Sequence, residues 1–420
     1  PPDGGDSIQL SVIKRRRAFK HECDCCLRRS MEVRARAPGK IIITGEHAVV
    51  HGTTAVAASI NLHTYAYLRF SESTDVLTLV LKDMSTELSW PIERVKEALS
   101  DFVNPLSSSP NSCSPEVLTS INALVKDQNI PEAKIGLAAG MSAFLWLYTS
   151  IQGFKPATVV ITSELPLGSG LGSSAAFCVS LSAALLALSD AVNLDLSHHG
   201  WLSYDDSGLQ LVNRWAFEGE KIIHGKPSGL DNTVSTYGNM IKFKAGDLTR
   251  IKSRMPLKML ITNTQVGRNT KALVAGVSER TVRHPDAMAA VFKAVDCISE
   301  EFASIIQSPV HNGLSISEKE ARLQELFQMN QGLLQCMGVS HESIETVLQR
   351  TSKYKLASKL TGAGGGGCVL TLLPTMPHES VQSGTIAEDV VAELESCGFQ
   401  CFIVEIGGNG VEICSGGGDL

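Results

Sequence analysis

The sequence predicts an α+β fold in two domains, and three observations lead there. The chain has 420 residues, more than one apolar core ordinarily serves. Segments of strand and helix periodicity are mixed without the strict alternation of a doubly wound sheet. Two glycine-rich runs, one at 168–172 and one at 362–367, each adjoin a strand-like segment. A boundary near residue 250 divides the ordered chain into domains 31–250 and 251–420.

Residues 1–30 differ from the rest. They open Pro-Pro-Asp-Gly-Gly, carry Lys14-Arg15-Arg16-Arg17 and then Cys23, Cys25 and Cys26. They read as a disordered leader outside the fold; Asp3, Asp6, Glu22 and Asp24 speak against a transit peptide. From Met31, "MEVRARAPGKIIITGEHAVV" predicts two strands around a turn at Pro38-Gly39. Residues 60–70, 76–81 and 157–163 are strand-like. The Ser/Pro-rich stretch 104–115 predicts a surface loop, and helical periodicity follows over 115–128 and 133–151. Residues 174–188 and 206–224 read as helices, and 225–239 as a glycine- and proline-containing connection. Strands at 240–243 and 257–262 precede a mostly helical stretch from 268 to 350. A strand after the second glycine run, a helix near 386–396 and a strand at 400–406 complete the pattern, and no internal repeat is visible.

Composition narrows the function. The net charge is −6, so no basic field argues for nucleic acid. No apolar run approaches the roughly 18 residues a bilayer requires. The 11 cysteines are odd in number and scattered, which suggests free thiols in a reducing compartment. Cys23, Cys25, Cys26 and His21 lack zinc-ligand spacing. The ending "GGGDL" is no peroxisomal tripeptide, so the cytoplasm is the expected location.

The stretch "PLGSGLGSSAA" (166–176) lies between a strand and a helix. Free amides at a helix start, with the macrodipole behind them, form a cradle for anions, and alternating glycines let a phosphate chain approach the backbone. The spacing G-x-G-x-G matches neither the dinucleotide fingerprint nor the P-loop with its lysine. Charge compensation must then come from elsewhere, such as magnesium held by a hydroxyl and a carboxylate. Of Ser173 and Ser174, one reads as a helix cap and the other as free to reach a metal.

Three further segments place charged residues beside glycine or proline. "APGKIIITGEHAVVHG" supplies Lys40, Glu46 and His47; "WAFEGEKIIHGKPSGLDN" supplies Glu218, Glu220, Lys221, His224 and Asp231; "NTQVGRNTKALV" supplies Arg268, Thr270 and Lys271. Each admits a plainer reading: Glu218 and Lys221 on a solvated helix face, His224 at a helix end, Asp231 as an N-cap, Lys271 at the surface.

Taken together, these segments and "LTGAGGGGCV" (360–369) resemble the GHMP kinases, a family of small-molecule kinases, from about residue 32 to about 406. The resemblance implies an active site in the cleft between two α+β domains, with a left-handed βαβ unit in the N-terminal one. It implies magnesium- and ATP-dependent phosphorylation of the 5-hydroxyl of mevalonate, a step in isoprenoid and sterol synthesis. Position by position, Asp231 corresponds to the catalytic base and Lys40 to the lysine beside it. Ser174 and Glu220 correspond to the Mg2+ ligands. Ser163, Gly168, Ser169, Gly170, Leu171, Gly172, Ser173 and Ser174 correspond to the ATP-binding stretch. Glu46, His47 and Thr270, together with Lys40 and Asp231, correspond to the substrate region. A homodimer and feedback inhibition by prenyl diphosphates are further implications.

The chemistry of these residue types agrees. An alcohol is a poor nucleophile until its proton has an acceptor, which a carboxylate such as Asp231 supplies. A neighbouring ammonium keeps that base ionised and stabilises a developing alkoxide. Galactose, homoserine or phosphomevalonate as acceptors, a decarboxylase, and a silent ligand-binding relative are the alternatives. The last would be expected to lack Asp231, Lys40, Ser174 or Glu220, and all four are present.

Overall fold

Two β-sheets organise the molecule. The computed structural model describes residues 32–105, 108–128, 130, 136–194, 200–309, 315–375 and 383–415. The leader 1–30, residues 106–107 of the Ser/Pro-rich loop and residues 416–420 lie outside the described residues.

Strand β1 (Glu32–Thr44) is one long strand instead of two. It pairs antiparallel with β2 (Ala55–Phe70), and the register slips between Pro38 and Lys40. That bulge is how a sheet interior accommodates a proline. At Gly39 a Cβ would come within 2.5 Å of Leu165 Cδ2 and 2.8 Å of the Leu171 carbonyl oxygen. The Pro-Gly pair therefore makes a kink that admits the first glycine loop, not a chain reversal.

β3 (Val76–Leu81) and β4 (Thr86–Pro91) form a hairpin. Helices α1 (Ile92–Leu99), α2 (Pro115–Lys126) and α3 (Ala138–Gln152) then lead to β5 (Ala157–Ser163). β5 lies parallel to β3 and antiparallel to β2. The strand–helix–strand unit implied by the resemblance falls here, since every other pairing among the described strands is antiparallel. Helix α4 (Ser173–Ala187) follows β5 and is buried on all sides, its many Ala and Ser residues allowing close approach. Around it lie β1, β2, α3, α5 (Asp206–His224) and α6 (Leu230–Tyr237). The sheet order is β4-β3-β5-β2-β1-β13-β6, with β6 spanning Leu202–Ser203 and β13 spanning Glu412–Ser415. The hairpin of β7 (Met240–Lys244) and β8 (Asp247–Ile251) pairs onto β2.

The second sheet runs β10 (Ser358–Leu360), β11 (Cys368–Leu373), β9 (Lys258–Asn263), β12 (Gln400–Glu405). It is accompanied by α7 (Thr270–Arg283), α8 (Pro285–Gln307), α9 (Ile316–Met337), α10 (Glu342–Ser352) and α11 (Ser383–Ser396). Val295, Leu334, Ile344, Val347 and Leu394 pack in the core of this half. A second apolar core is continuous between the sheets, from Ile41 and Leu68 to Met259, Phe302 and Phe327. A polar clasp adds to it: Asp296 and Glu300 of α8 accept from the Thr54 amide (3.0 Å) and hydroxyl (2.7 Å), and from Lys244 and Lys242 of β7. A division at residue 250 assigns β13 to the second half, yet β13 pairs with β1 in the first sheet.

The described cysteines, from Cys113 to Cys414, are all free thiols. Among the described residues no helix is long and apolar enough to cross a membrane.

Candidate active site

The first glycine loop meets α4 with its amides open. Gly168, Gly170 and Gly172 have φ of 68°, 82° and 77°, a region open to glycine and strained for other residues. Gly172 is the N-cap and offers no side-chain cap. Ser173 and Ser174 are thus the first two helical residues; neither serves as the cap, and the first-turn amides remain available to an anion. The loop is fastened to β1 by the Lys40 amide, which donates to the Leu171 carbonyl at 2.8 Å. A Cβ on Gly172 would lie 2.8 Å from Lys40 Cγ, so glycine here lets the loop and the lysine meet.

Lys40 leaves β1 just past the bulge, and its ammonium lies 3.0 Å from Asp231 Oδ2. The lysine side chain is 8% exposed and the aspartate 35%, so one partner is sheltered and the other opens outward. Asp231 is not a cap: Gly229 holds that position in α6, and Asp231 is the second helical residue. Glu220 of α5 is 2% exposed, and one of its oxygens, Oε1, has no hydrogen-bond partner. Burial, and then the charge of Asp231, push its carboxyl up to about 7, while the Ser174 hydroxyl and Lys40 pull the other way. Ser174 Oγ also lies 3.0 Å from His224 Nε2 at the end of α5. Lys221 pairs with Glu218 at 2.8 Å on the same helix, but the expected solvated face holds only for the lysine: the Glu218 side chain is 12% exposed, and its Oε2 is buried without a partner among the described residues.

A buried carboxylate with an unpartnered oxygen beside a serine hydroxyl suits a hard, oxygen-seeking cation. Magnesium takes one or two protein ligands and completes its shell with phosphate oxygens and water. Among the described residues no group of three or more His, Cys, Asp or Glu could hold a metal alone. The donor set therefore fits a magnesium ion that arrives with its nucleotide.

A cavity of about 180 Å³ adjoins the helix start, with Leu79, Leu81, Met141, Ile161, Leu167 and Phe177 among its walls and Ser173 and Ser174 at its edge. Its apolar walls suit a flat heterocycle. Ser163 sits at its rim, its amide donating to Asp83 Oδ2 at 2.6 Å and its hydroxyl 2.8 Å from Thr64 Oγ1. Apart from Leu167, an exposed residue of the glycine-loop stretch, nothing in the sequence pattern points to these walls, which are apolar residues scattered over β3, α3, β5 and α4.

The second glycine loop closes on the first through Arg268. Its Nη2 donates to the Ser169 carbonyl at 2.8 Å, while Gly362 and Gly367 border the same guanidinium. Nη1 of Arg268 is buried without a partner among the described residues and remains available to an anion. The sequence marks Arg268 as charged beside a glycine but gives it no role. A Cβ on Gly170 would lie 1.7 Å from Arg268 Nη2. Gly170→Ala should expel the guanidinium and raise the KM for ATP by about tenfold or more, the loss of one charge-assisted hydrogen bond. Steady-state kinetics on a variant with an unchanged circular dichroism spectrum would check this, and an unaltered KM would contradict it.

Thr270 is exposed in the first turn of α7, two residues beyond Arg268. His47 is 7% exposed, and its Nε2 lies 2.8 Å from the Ala363 carbonyl in the second glycine loop. Glu46 differs from the expectation that it faces substrate. It is 1% exposed; Lys359 binds Oε1 and Asn330 donates to Oε2 at 3.3 Å, so its charge is consumed inside the protein. Lys359 went unremarked in the sequence because nothing marks a lysine just before a glycine run as buried.

The fold and this cleft define a phosphate-transferring small-molecule kinase. Residues 138–239 match the model of the GHMP kinases N terminal domain, and residues 316–398 that of the GHMP kinases C terminal. The chain is 64% identical over 389 residues to mevalonate kinase of Arabidopsis thaliana, covering 91% of this chain and all of that one. It is 39% identical to mevalonate kinase of Mus musculus, covering 89% and 93% of the two chains. The crystal structure of the Methanococcus jannaschii mevalonate kinase superposes with a TM-score of 0.65 at 22% identity, over 90% of this chain and 99% of that one. The chain belongs to the mevalonate kinase family.

Proposed function

We propose that the chain transfers the γ-phosphoryl group of ATP to the 5-hydroxyl of mevalonate, forming 5-phosphomevalonate for isoprenoid and sterol synthesis. The observation that carries the mechanism is the Lys40–Asp231 pair, 3.0 Å apart and held against the glycine loop at the start of α4. Asp231, the more open partner, accepts the hydroxyl proton as the oxygen attacks phosphorus. Lys40 keeps that carboxylate ionised and stabilises the negative charge that grows on the attacking oxygen. The apolar cavity takes the adenine, and the amides of 168–174 take the phosphates. Ser174 and Glu220 would hold Mg2+, which neutralises phosphate charge when bound. His47 and Thr270 line the alcohol side with Glu46 behind them, and Arg268, bonded to the Ser169 carbonyl, serves the phosphate side.

A cytoplasmic location belongs to the same reading and is supported by the odd, scattered set of 11 cysteines. Homodimer formation and competition by prenyl diphosphates at the nucleotide site belong to the same reading, because a diphosphate shares the anion chemistry of the loop. The division near residue 250 belongs to the same reading, although it falls within β8 of the first sheet and β13 returns to that sheet.

A coupled ADP-release assay with magnesium-ATP and mevalonate, phosphomevalonate, galactose and homoserine tests the substrate. Mevalonate should exceed the others in kcat/KM by at least about a hundredfold, within the range that hydrogen-bonded recognition of a substrate provides. A preference for any other member of the panel would reject the assignment.

A further inference from the structure

The turn that follows β1 is held in an unusual way. His47 has φ 59° and ψ −47°, outside the regions a side-chain-bearing residue ordinarily occupies. Three contacts hold it there. Its Nε2 must donate to the Ala363 carbonyl, because a carbonyl oxygen only accepts. The 3₁₀ turn Ala48–His51 follows, with His51 stacked on Phe292 of α8 at 4.1 Å. Glu46, next to His47, is locked to Lys359 across the two sheets, and both side chains are 0% exposed. Lys359 also donates to the Leu360 carbonyl at 2.7 Å, and its ammonium lies 5.9 Å from the Phe327 ring centre.

One consequence concerns the imidazole. With Nε2 protonated, the neutral ring presents Nδ1 as a bare acceptor. That atom is buried and has no partner among the described residues. A hydroxyl of the bound alcohol would satisfy it. We propose that Lys359 is a positioning residue for alcohol binding: it neutralises Glu46, fixes the turn that carries His47, and so keeps His47 Nδ1 free to accept from a substrate hydroxyl. The inference rests on the reading above that this turn faces the alcohol.

The test uses the full chain with two variants, Lys359→Met and the double variant Glu46→Gln/Lys359→Met. The single variant strands a buried carboxylate. The double variant removes both charges and avoids that fault, so it reports on positioning rather than on an unpaired ion. Nitrogen NMR of histidine-labelled protein without substrate, assigned with His47→Asn, reads the ring tautomer. In the unaltered chain His47 should show protonated Nε2 and bare Nδ1. In the folded double variant the tautomers should mix, and KM for mevalonate should rise by about tenfold or more, as for a displaced contact, with little change in KM for ATP. A folded double variant with the original His47 signals and an unchanged mevalonate KM would overturn the proposal. Should Lys359→Met fail to fold, the double variant decides. Because the tautomer is read without substrate, a chain that did not phosphorylate mevalonate would end the functional reading and leave this one open to the NMR result.

Discussion

Asp231→Ala and Asp231→Asn should each lower turnover by about 10²–10⁴-fold, the ordinary worth of a positioned base, while ATP binding stays near its original strength. The nucleotide is assigned to the cavity walls and the loop amides, none of which Asp231 supplies. The two variants differ in what they do to Lys40. Alanine leaves a sheltered ammonium without its counter-ion, whereas asparagine keeps the shape and an acceptor oxygen. If the loss came from a damaged fold, asparagine would restore much of the rate. If it came from the missing base, both variants should fail alike. Single-turnover kinetics with nucleotide affinity measured alongside would separate the cases, and asparagine activity within about tenfold of the original would rule out Asp231 as the base.

Glu220→Gln should raise the magnesium needed for half-maximal activity by about tenfold or more, since even a group one shell removed from a metal is worth that much. A second effect should appear in the metal-free protein. The folded-state carboxyl titrates at about 7, above the ordinary carboxylate value of 4.5. Between those values the folded chain binds the proton more tightly than the unfolded one. The contribution is therefore fully present below about pH 4.5 and lost as pH rises through about 7, a swing of about 3 kcal/mol. Other carboxylates act in the opposite sense; hydrogen bonds from Thr54, Lys244 and Lys293 overcome burial to hold Asp296 well below its usual range. The useful quantity is thus the difference between the original chain and Glu220→Gln, taken from urea unfolding in EDTA at several pH values. That difference should shift in favour of the variant as pH rises and level off above pH 7. A flat difference would mean that burial and the Asp231 charge do not raise the Glu220 carboxyl.

How far the sequence anticipated the fold depended on whether the information was local. The β5–loop–α4 unit was legible because an apolar run, a glycine cluster and a second apolar run are contiguous. Helix α6 was not, since "LDNTVSTY" is polar and follows a glycine. Its hydroxyls and amides find partners only in the folded chain: Ser235 Oγ donates to the Pro38 carbonyl at 2.7 Å, and Asn232 Nδ2 to Asn213 Oδ1 at 2.7 Å. β13 was invisible because four residues gain their strand character only from distant partners, β1 on one side and β6 on the other. The site divides in the same way. The glycine loop announced itself, but Lys40 and Asp231 were joined only through resemblance, because spacing along the chain carries no sign of a contact between strand and helix. Glu46 shows the opposite failure. Its neighbours suggested a ligand-facing carboxylate, and the partner that turns it inward lies 313 positions away.

β13 also bears on how the chain emerges during synthesis. β1, among the first segments of the described fold to leave the ribosome, carries β2 along one side and waits for residues 412–415 along the other. Until those four residues arrive, the main-chain donors and acceptors along residues 33–36 stand unpaired and open to strands of other molecules. A nascent chain arrested before Glu412 should accordingly be prone to aggregate, and completing the last strand should seal that seam.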